Sequence, residues 1–156
     1  MSYFFTSESV SEGHPDKLAD QISDAILDNY LAFDPKSKVA CETLVTTNQT
    51  VLAGEVKSNA EINTEKIVRE TINKVGYTNP DYKFTGDSCN FNSFIHEQSV
   101  DINRGVDKIN SKFQGAGDQG IMFGYATSET DDHIPLPLYL SHKLLLELTK
   151  LRKENK

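Results

Sequence analysis

A chain of 156 residues, 37% apolar and 25% charged, has the size and make-up of a globular protein of about one domain. Sixteen basic against twenty-three acidic side chains give a formal charge of -7, which disfavours non-specific attraction to nucleic acid or to an anionic membrane. Two cysteines, Cys41 and Cys89, neither in a Cys-x-x-Cys arrangement, argue against a disulfide scaffold or a zinc site and point to a reducing compartment, the cytoplasm. The opening Met1-Ser2-Tyr3-Phe4-Phe5 meets Glu8, Glu12 and Asp16 too soon for a signal peptide, and no run is long enough to span a membrane.

In chain order, Leu18, Ile22, Ile26, Tyr30 and Phe33 recur at helical spacing between Pro15 and Asp34-Pro35, which predicts a helix over residues 15–33. Residues 39–47 and 51–57, rich in β-branched side chains, predict two antiparallel strands around a short turn at Asn48-Gln49. Ile67, Val68, Thr71, Ile72 and Val75 form a second helical stripe that stops at Gly76, where a left-handed cap is common. A third strand is predicted near residues 89–95, then a polar, glycine-bearing loop over 97–117, then strand character over 121–127. The last segment, 138–151, is a Leu-rich helix with a basic end. Its leucines spread over more than one face, so it packs either on its own sheet or against further protein. The fold class is α+β, a mixed or antiparallel sheet covered by helices, with no internal linker.

The chemistry starts at Gly13-His14-Pro15-Asp16-Lys17, where the first helix begins. Free backbone N–H groups and the positive helix end make an anion site there. His14 and Lys17 can add donors to a phosphate, and Asp16 can hold a magnesium ion that bridges phosphate oxygens. Ordinary helix capping is the alternative. Asp16, Asp20, Asp24 and Asp28 make one acidic stripe, most of it a solvated face. A two-residue turn at Asn48-Gln49 places Glu42 across from Glu55 on one sheet face. That pair is either half-buried, with water or a cation between the carboxylates, or simply solvent-facing. Gly115-Ala116-Gly117-Asp118-Gln119-Gly120 allows close backbone approach of a ligand, with Asp118 free to accept from ribose hydroxyls. It is neither a Walker A loop nor a dinucleotide fingerprint.

The run Phe5-Thr6-Ser7-Glu8-Ser9-Val10-Ser11-Glu12-Gly13-His14-Pro15-Asp16-Lys17 resembles the S-adenosylmethionine synthetase (methionine adenosyltransferase) family. Gly115 to Gly120 with Gly124-Tyr125 also resembles it, as do Val39-Ala40-Cys41-Glu42-Thr43, Gly54-Glu55, Gln98-Ser99 and Asp101-Ile102-Asn103, in the family's order and spacing. The resemblance covers essentially the whole chain. It implies the first domain of a three-domain fold, with residues 1–156 as an amino-terminal region and the central and carboxy-terminal domains missing. It further implies His14 as the catalytic residue on the ATP phosphates, with Lys17 and Asp118 also binding ATP. Asp16 would hold Mg2+, Glu42 would take part in a K+ site, and Glu55 and Gln98 would bind methionine. A mobile loop over 98–108 would carry Gln98, Asp101, Arg104, Gly105 and Asp107. Val100 departs from the family's usual proline.

The implied reaction is attack of the L-methionine sulfur on C5′ of ATP, displacing triphosphate that is then cleaved to pyrophosphate and phosphate. A thioether has no proton to lose, so the step needs alignment, acidic groups near the forming sulfonium and cations on the leaving group, not a general base. The implied partners are ATP, methionine and a second subunit, in a homodimer or dimer of dimers, with no nucleic acid or membrane. Family chains run well over twice this length and carry further phosphate-binding cations beyond it. A non-catalytic module that dimerises with full-length subunits is therefore the alternative. An unrelated acidic metal-binding protein would leave Gly115 to Gly120 unexplained.

Overall fold

The computed structural model describes residues 4–97 and 119–154. They fall into two compact units, Leu18–Gly120 and the pair Met1–Lys17 with Ile121–Lys156, which are taken in turn.

In the first unit, helix α1 (Pro15–Phe33, its first turn in the other unit) precedes strands β1 (Lys38–Thr46) and β2 (Gln49–Lys57). Helix α2 (Thr64–Val75), a short 3-10 turn at Pro80–Tyr82 and strand β3 (Asn90–Glu97) follow. The sheet is mixed, in the order β1-β2-β3, with β2 antiparallel to β1 and parallel to β3. A parallel partner cannot be reached through a hairpin, so the chain crosses over through α2.

One sheet face is closed by the helices. Leu18, Ile22 and Ile26 recur every fourth residue along α1 and are buried. They share one core with Leu52, with Val68, Ile72 and Val75 of α2, and with Phe84 and Cys89. Tyr30 packs on its edge, but Phe33 is exposed: as the last residue of α1 it has rotated past the buried stripe. The four aspartates of the stripe are all exposed, as a solvated face requires. Ser23 Oγ of α1 meets Thr43 Oγ1 of β1 at 2.8 Å, so this polar pair between helix and sheet is satisfied.

The ends of α2 follow capping rules. Asn63 Oδ1 accepts from the Lys66 N–H at 2.9 Å. At the other end Gly76 adopts φ 116°, and the Tyr77 N–H reaches the Ile72 carbonyl at 3.2 Å. Arg69, on the outer side, is gripped by Glu65 Oε1 at 2.7 Å and donates to the Gly86 carbonyl at 2.6 Å and the Cys89 carbonyl at 3.3 Å. The start of β3 is thereby tied to α2.

Two expectations are corrected. The hairpin turn is Thr47-Asn48, not Asn48-Gln49, because Asn48 takes the left-handed φ of 57° as the second turn residue and Thr46 pairs with Gln49. Residues 121–127 form no strand. Among the described residues no strand pairs with them, and the Thr127 N–H goes instead to the His133 carbonyl at 3.1 Å in a local turn, so β preference alone gives them no sheet to join.

In the second unit a turn over residues 127–134 leads into helix α3 (Leu136–Lys153). His133 takes φ 59°, and Thr130 Oγ1 both donates to the Ile134 carbonyl at 2.8 Å and accepts its N–H at 3.2 Å. Pro135 supplies no cap, and Glu129 Oε2 instead accepts from the Leu136 N–H at 3.0 Å, a carboxylate at the positive helix end. No residue of α3 is buried, and Leu136, Leu140, Leu144, Leu146 and Leu148 are exposed.

Truncating the fully buried Ile72 to Ala should cost about 2–5 kcal/mol, read as a lower urea midpoint with an unchanged slope. At the end of α1, Asp34 accepts from the Asn59 backbone at 2.9 Å and the Lys36 backbone at 2.9 Å, and these bonds lower its pKa from 3.8. A depressed carboxylate contributes stability above its unfolded pKa and loses it as pH falls through the folded one. Asp34→Asn should therefore be less stable than wild type at pH 7, and the gap should close as urea titrations move below pH 4. A gap of constant size down to pH 2 would contradict this account.

Candidate functional site

Three of the predicted residues meet at the start of α1. The His14 N–H donates to the Ser11 carbonyl at 3.0 Å, which closes a turn and delivers the chain to Pro15, the first helical residue. His14 Nδ1 accepts from the Asp16 N–H at 3.2 Å, so the imidazole caps the helix. With Nδ1 as acceptor, the proton of the neutral ring lies on Nε2, which is left as a donor. Capping and anion binding are thus compatible, since one ring nitrogen serves each. The Asp16 carboxylate lies 3.9 Å from His14 Nδ1 and is 88% exposed. A carboxylate so open to water fits magnesium, which keeps several waters and takes one or two carboxylates besides phosphate oxygens. Lys17 follows on the same turn and is half-buried.

The other predicted pair lies on the open face of the sheet. Glu42 faces Ala53 and Glu55 faces Ala40, two residues out of the direct opposition expected, because the turn comes one residue earlier. A two-residue displacement preserves the side-chain period, so both carboxylates remain on one face as diagonal neighbours. That separation, about 7–8 Å between Cα atoms, leaves room for water, a cation or a cationic group between them. Glu42 is exposed and Glu55 half-buried. Ala40, Leu44, Ala53 and Phe94 share this face with the two acids, and Lys38, Lys57 and His96 lie on it toward the Glu55 end.

Gly54 makes this arrangement possible. Its φ of 143° is closed to most side chains, and a Cβ there would be driven into the Ala40 carbonyl oxygen. Cys41, its partner across the hairpin, turns inward against the core. Burial pushes the Cys41 thiol up from its ordinary value and the adjacent Glu42 carboxylate adds to the rise, so it stays protonated and unreactive. His96, which the sequence reading passed over, stands in register beside Glu55 on the open face. Its position two residues before Gln98 was the available signal.

Gln98, Asp101, Arg104, Gly105, Asp107 and Asp118 lie outside the described residues. A shallow groove on the outer side of α2, lined by Asn63, Lys66, Arg69, Glu70, Asn73 and Asp87, holds none of the predicted residues. Among the described residues, no cluster of three or more His, Cys, Asp or Glu side chains could hold a metal by itself.

These features define an α+β protein with one helix-covered sheet face, one open acidic and apolar face, and a histidine-capped helix start. Comparison with known proteins places it further. A family model described as S-adenosylmethionine synthetase, N-terminal domain, matches residues 2–100, and one described as S-adenosylmethionine synthetase, central domain, matches residues 113–156. The chain is 66% identical over 156 residues to an S-adenosylmethionine synthase of Christiangramia forsetii, covering all of this chain and 37% of the relative. It is 65% identical over 155 residues to one of Flavobacterium psychrophilum, covering 99% of this chain and 37% of the relative. The chain belongs to the S-adenosylmethionine synthetase family. It spans little more than a third of the length of these curated relatives.

Gly54→Ala should lower stability by at least about 2 kcal/mol, since it meets both an unfavourable φ and a backbone clash. The loss should appear in a urea titration together with exchange of the Cys41 and Glu55 amides in hydrogen-exchange spectra. Unchanged protection at both would mean that the two strands tolerate a side chain there.

Proposed function

We propose that this chain carries the amino-terminal share of a site that forms S-adenosylmethionine from ATP and L-methionine and releases pyrophosphate and phosphate. The observation that carries the reading is the 66% identity to an S-adenosylmethionine synthase along the whole chain. The capped start of α1 supports it, since His14 Nε2, Lys17 and the positive helix end all favour a polyphosphate. Asp16 holds Mg2+ in this reading, and Glu42 takes part in holding K+. The cations supply charge neutralisation for the departing triphosphate. Glu55 and Gln98 bind methionine, Glu55 by attracting the ammonium group or the developing sulfonium. Asp118 binds the nucleotide, and Asp101, Arg104, Gly105 and Asp107 belong to the loop that covers the site.

This chain's own part is chiefly electrostatic. The reaction needs no proton removed from sulfur, so the site works by alignment, with acids on the sulfonium side and donors on the phosphate side. The described donors His14 and Lys17 are few against a triphosphate, so further cations come from additional protein. A second subunit is one source. The open sheet face, with Leu44 and Phe94 exposed around Glu42 and Glu55, suits burial against an identical copy in a homodimer or dimer of dimers. The cytoplasm is the proposed location, in keeping with the free thiols of Cys41 and Cys89.

A second reading is favoured by α3, which buries no residue of its own and leaves five leucines exposed. On that reading the chain binds synthetase subunits without turning over.

The test is S-adenosylmethionine formation by the 156-residue chain with ATP, methionine, Mg2+ and K+, alone and after adding the remaining two thirds of a relative as a separate polypeptide. The expected result is no product alone and turnover on complementation, falling about 100-fold or more in Asp16→Asn. Stable complex formation without turnover selects the second reading. Product from the mixture that is indifferent to Asp16→Asn and Glu55→Gln would refute the assignment of these residues.

A further inference from the structure

In the unit formed by Met1–Lys17 and Ile121–Lys156, two contacts fasten the segment that precedes His14 to helix α3. Ser9 Oγ lies 2.9 Å from His142 Nδ1. Three residues later the Glu12 carboxylate is divided between two cations, with Oε2 at 3.0 Å from Arg152 Nη2 and Oε1 at 2.8 Å from Lys153 Nζ. Glu12 is only 21% exposed, whereas the two cations are half-exposed. Isolated surface pairs contribute little. This one differs because each carboxylate oxygen has its own cation and because a second attachment lies along the same helix.

The spacing restricts the segment further. His142 and Arg152 are about 15 Å apart along α3 at 1.5 Å per residue. The backbone from Ser9 to Glu12 reaches at most about 11 Å even when fully extended. Side chains must bridge the remainder, so the segment runs along the helix with little slack. Directly beyond Glu12, the turn closed by the His14 N–H on Ser11 and the cap from His14 Nδ1 to the Asp16 N–H carry that placement to the imidazole.

We infer that Glu12, clamped between Arg152 and Lys153, and Ser9 on His142 are positioning residues that use α3 as a rail to set where His14 presents Nε2. They touch no substrate and act through His14. The value of this placement for phosphate binding rests on the proposed function above; the placement itself does not.

The test reads the two separately, on the intact 156-residue chain. In isotopically labelled protein the His14 Cε1–H cross-peak and the Asp16 amide report the cap, and binding of inorganic tripolyphosphate with Mg2+ by calorimetry reports the site. Glu12→Gln should move both resonances and weaken tripolyphosphate about fivefold, a loss in the range of a surface ion network. The pair Arg152→Gln with Lys153→Gln should move the same two resonances from the helix side, which keeps the inference testable if one variant folds poorly. Reversing the charges, with Glu12→Lys, Arg152→Glu and Lys153→Glu together, should bring both readouts back. Glu147→Gln, on the same helix and paired with Lys150, should change neither. Resonances of His14 and Asp16 that stay at wild-type positions in both Glu12→Gln and the double variant would overturn the inference. If the wild-type chain binds no tripolyphosphate while the His14 signal still follows Glu12, the positioning holds and the reading of the site falls.

Discussion

Leu52, wholly buried on the central strand, sits in one core with Ile22 of α1 and Ile72 of α2, and that burial decides which way every other side chain of the sheet points. Strand side chains alternate with a period of two, so fixing Leu52 inward fixes Ala53 and Glu55 outward or edgeward in turn. A slip of one residue would carry Glu55 into the apolar core without a partner, at a large desolvation cost. The hydrophobic contact therefore does more than stabilise the unit. It places an acid on the open face, and through the β1–β2 register it places Glu42 beside it.

The polar structure is arranged so that few groups near the candidate residues are left to compete. Asn63, Glu129 and His14 each satisfy helix-start N–H groups, with an amide, a remote carboxylate and an imidazole respectively. Arg69 spends its guanidinium on Glu65 and on the carbonyls of Gly86 and Cys89, and the Glu65 hydrogen bond raises its pKa, so it is a permanent structural cation. Asp16 on one unit and Glu42 on the other are exposed, and Glu55 is half-buried. Cys41 is the reverse case, a thiol drawn into the core and kept neutral.

Much of this was legible from residues alone. Pro15 and Asp34-Pro35 marked both ends of α1, and Gly76 marked the end of α2, because each residue has one conformational reason to stand there. The start of α2 was not legible, since its cap Asn63 precedes the apolar stripe by several residues. The turn was misplaced by one residue because Asn tolerates the left-handed region at either turn position, yet Glu42 and Glu55 still shared a face because the error displaced the register by an even number. Residues 121–127 read as a strand because the side chains have that preference, but preference does not supply a neighbour. The attachments of Ser9 and Glu12 to α3 join residues more than a hundred positions apart, and no local pattern signals such a pairing.

The crossover through α2 sets an order on assembly. β1 and β2 meet through a two-residue turn, so their pairing closes a very small loop, whereas β3 joins β2 only after the whole of α2 and the 3-10 turn have been drawn in. The Asn90 N–H that bonds to the Asn48 carbonyl at 2.9 Å joins the last strand to the tip of the first hairpin. The hairpin is thus a local, early-forming template, and the edge that receives β3 stands open for the whole interval. During synthesis that edge presents unpaired backbone groups to neighbouring chains until β3 docks, and the Arg69 bonds to the Gly86 and Cys89 carbonyls hold the approach to β3 against α2 once it has.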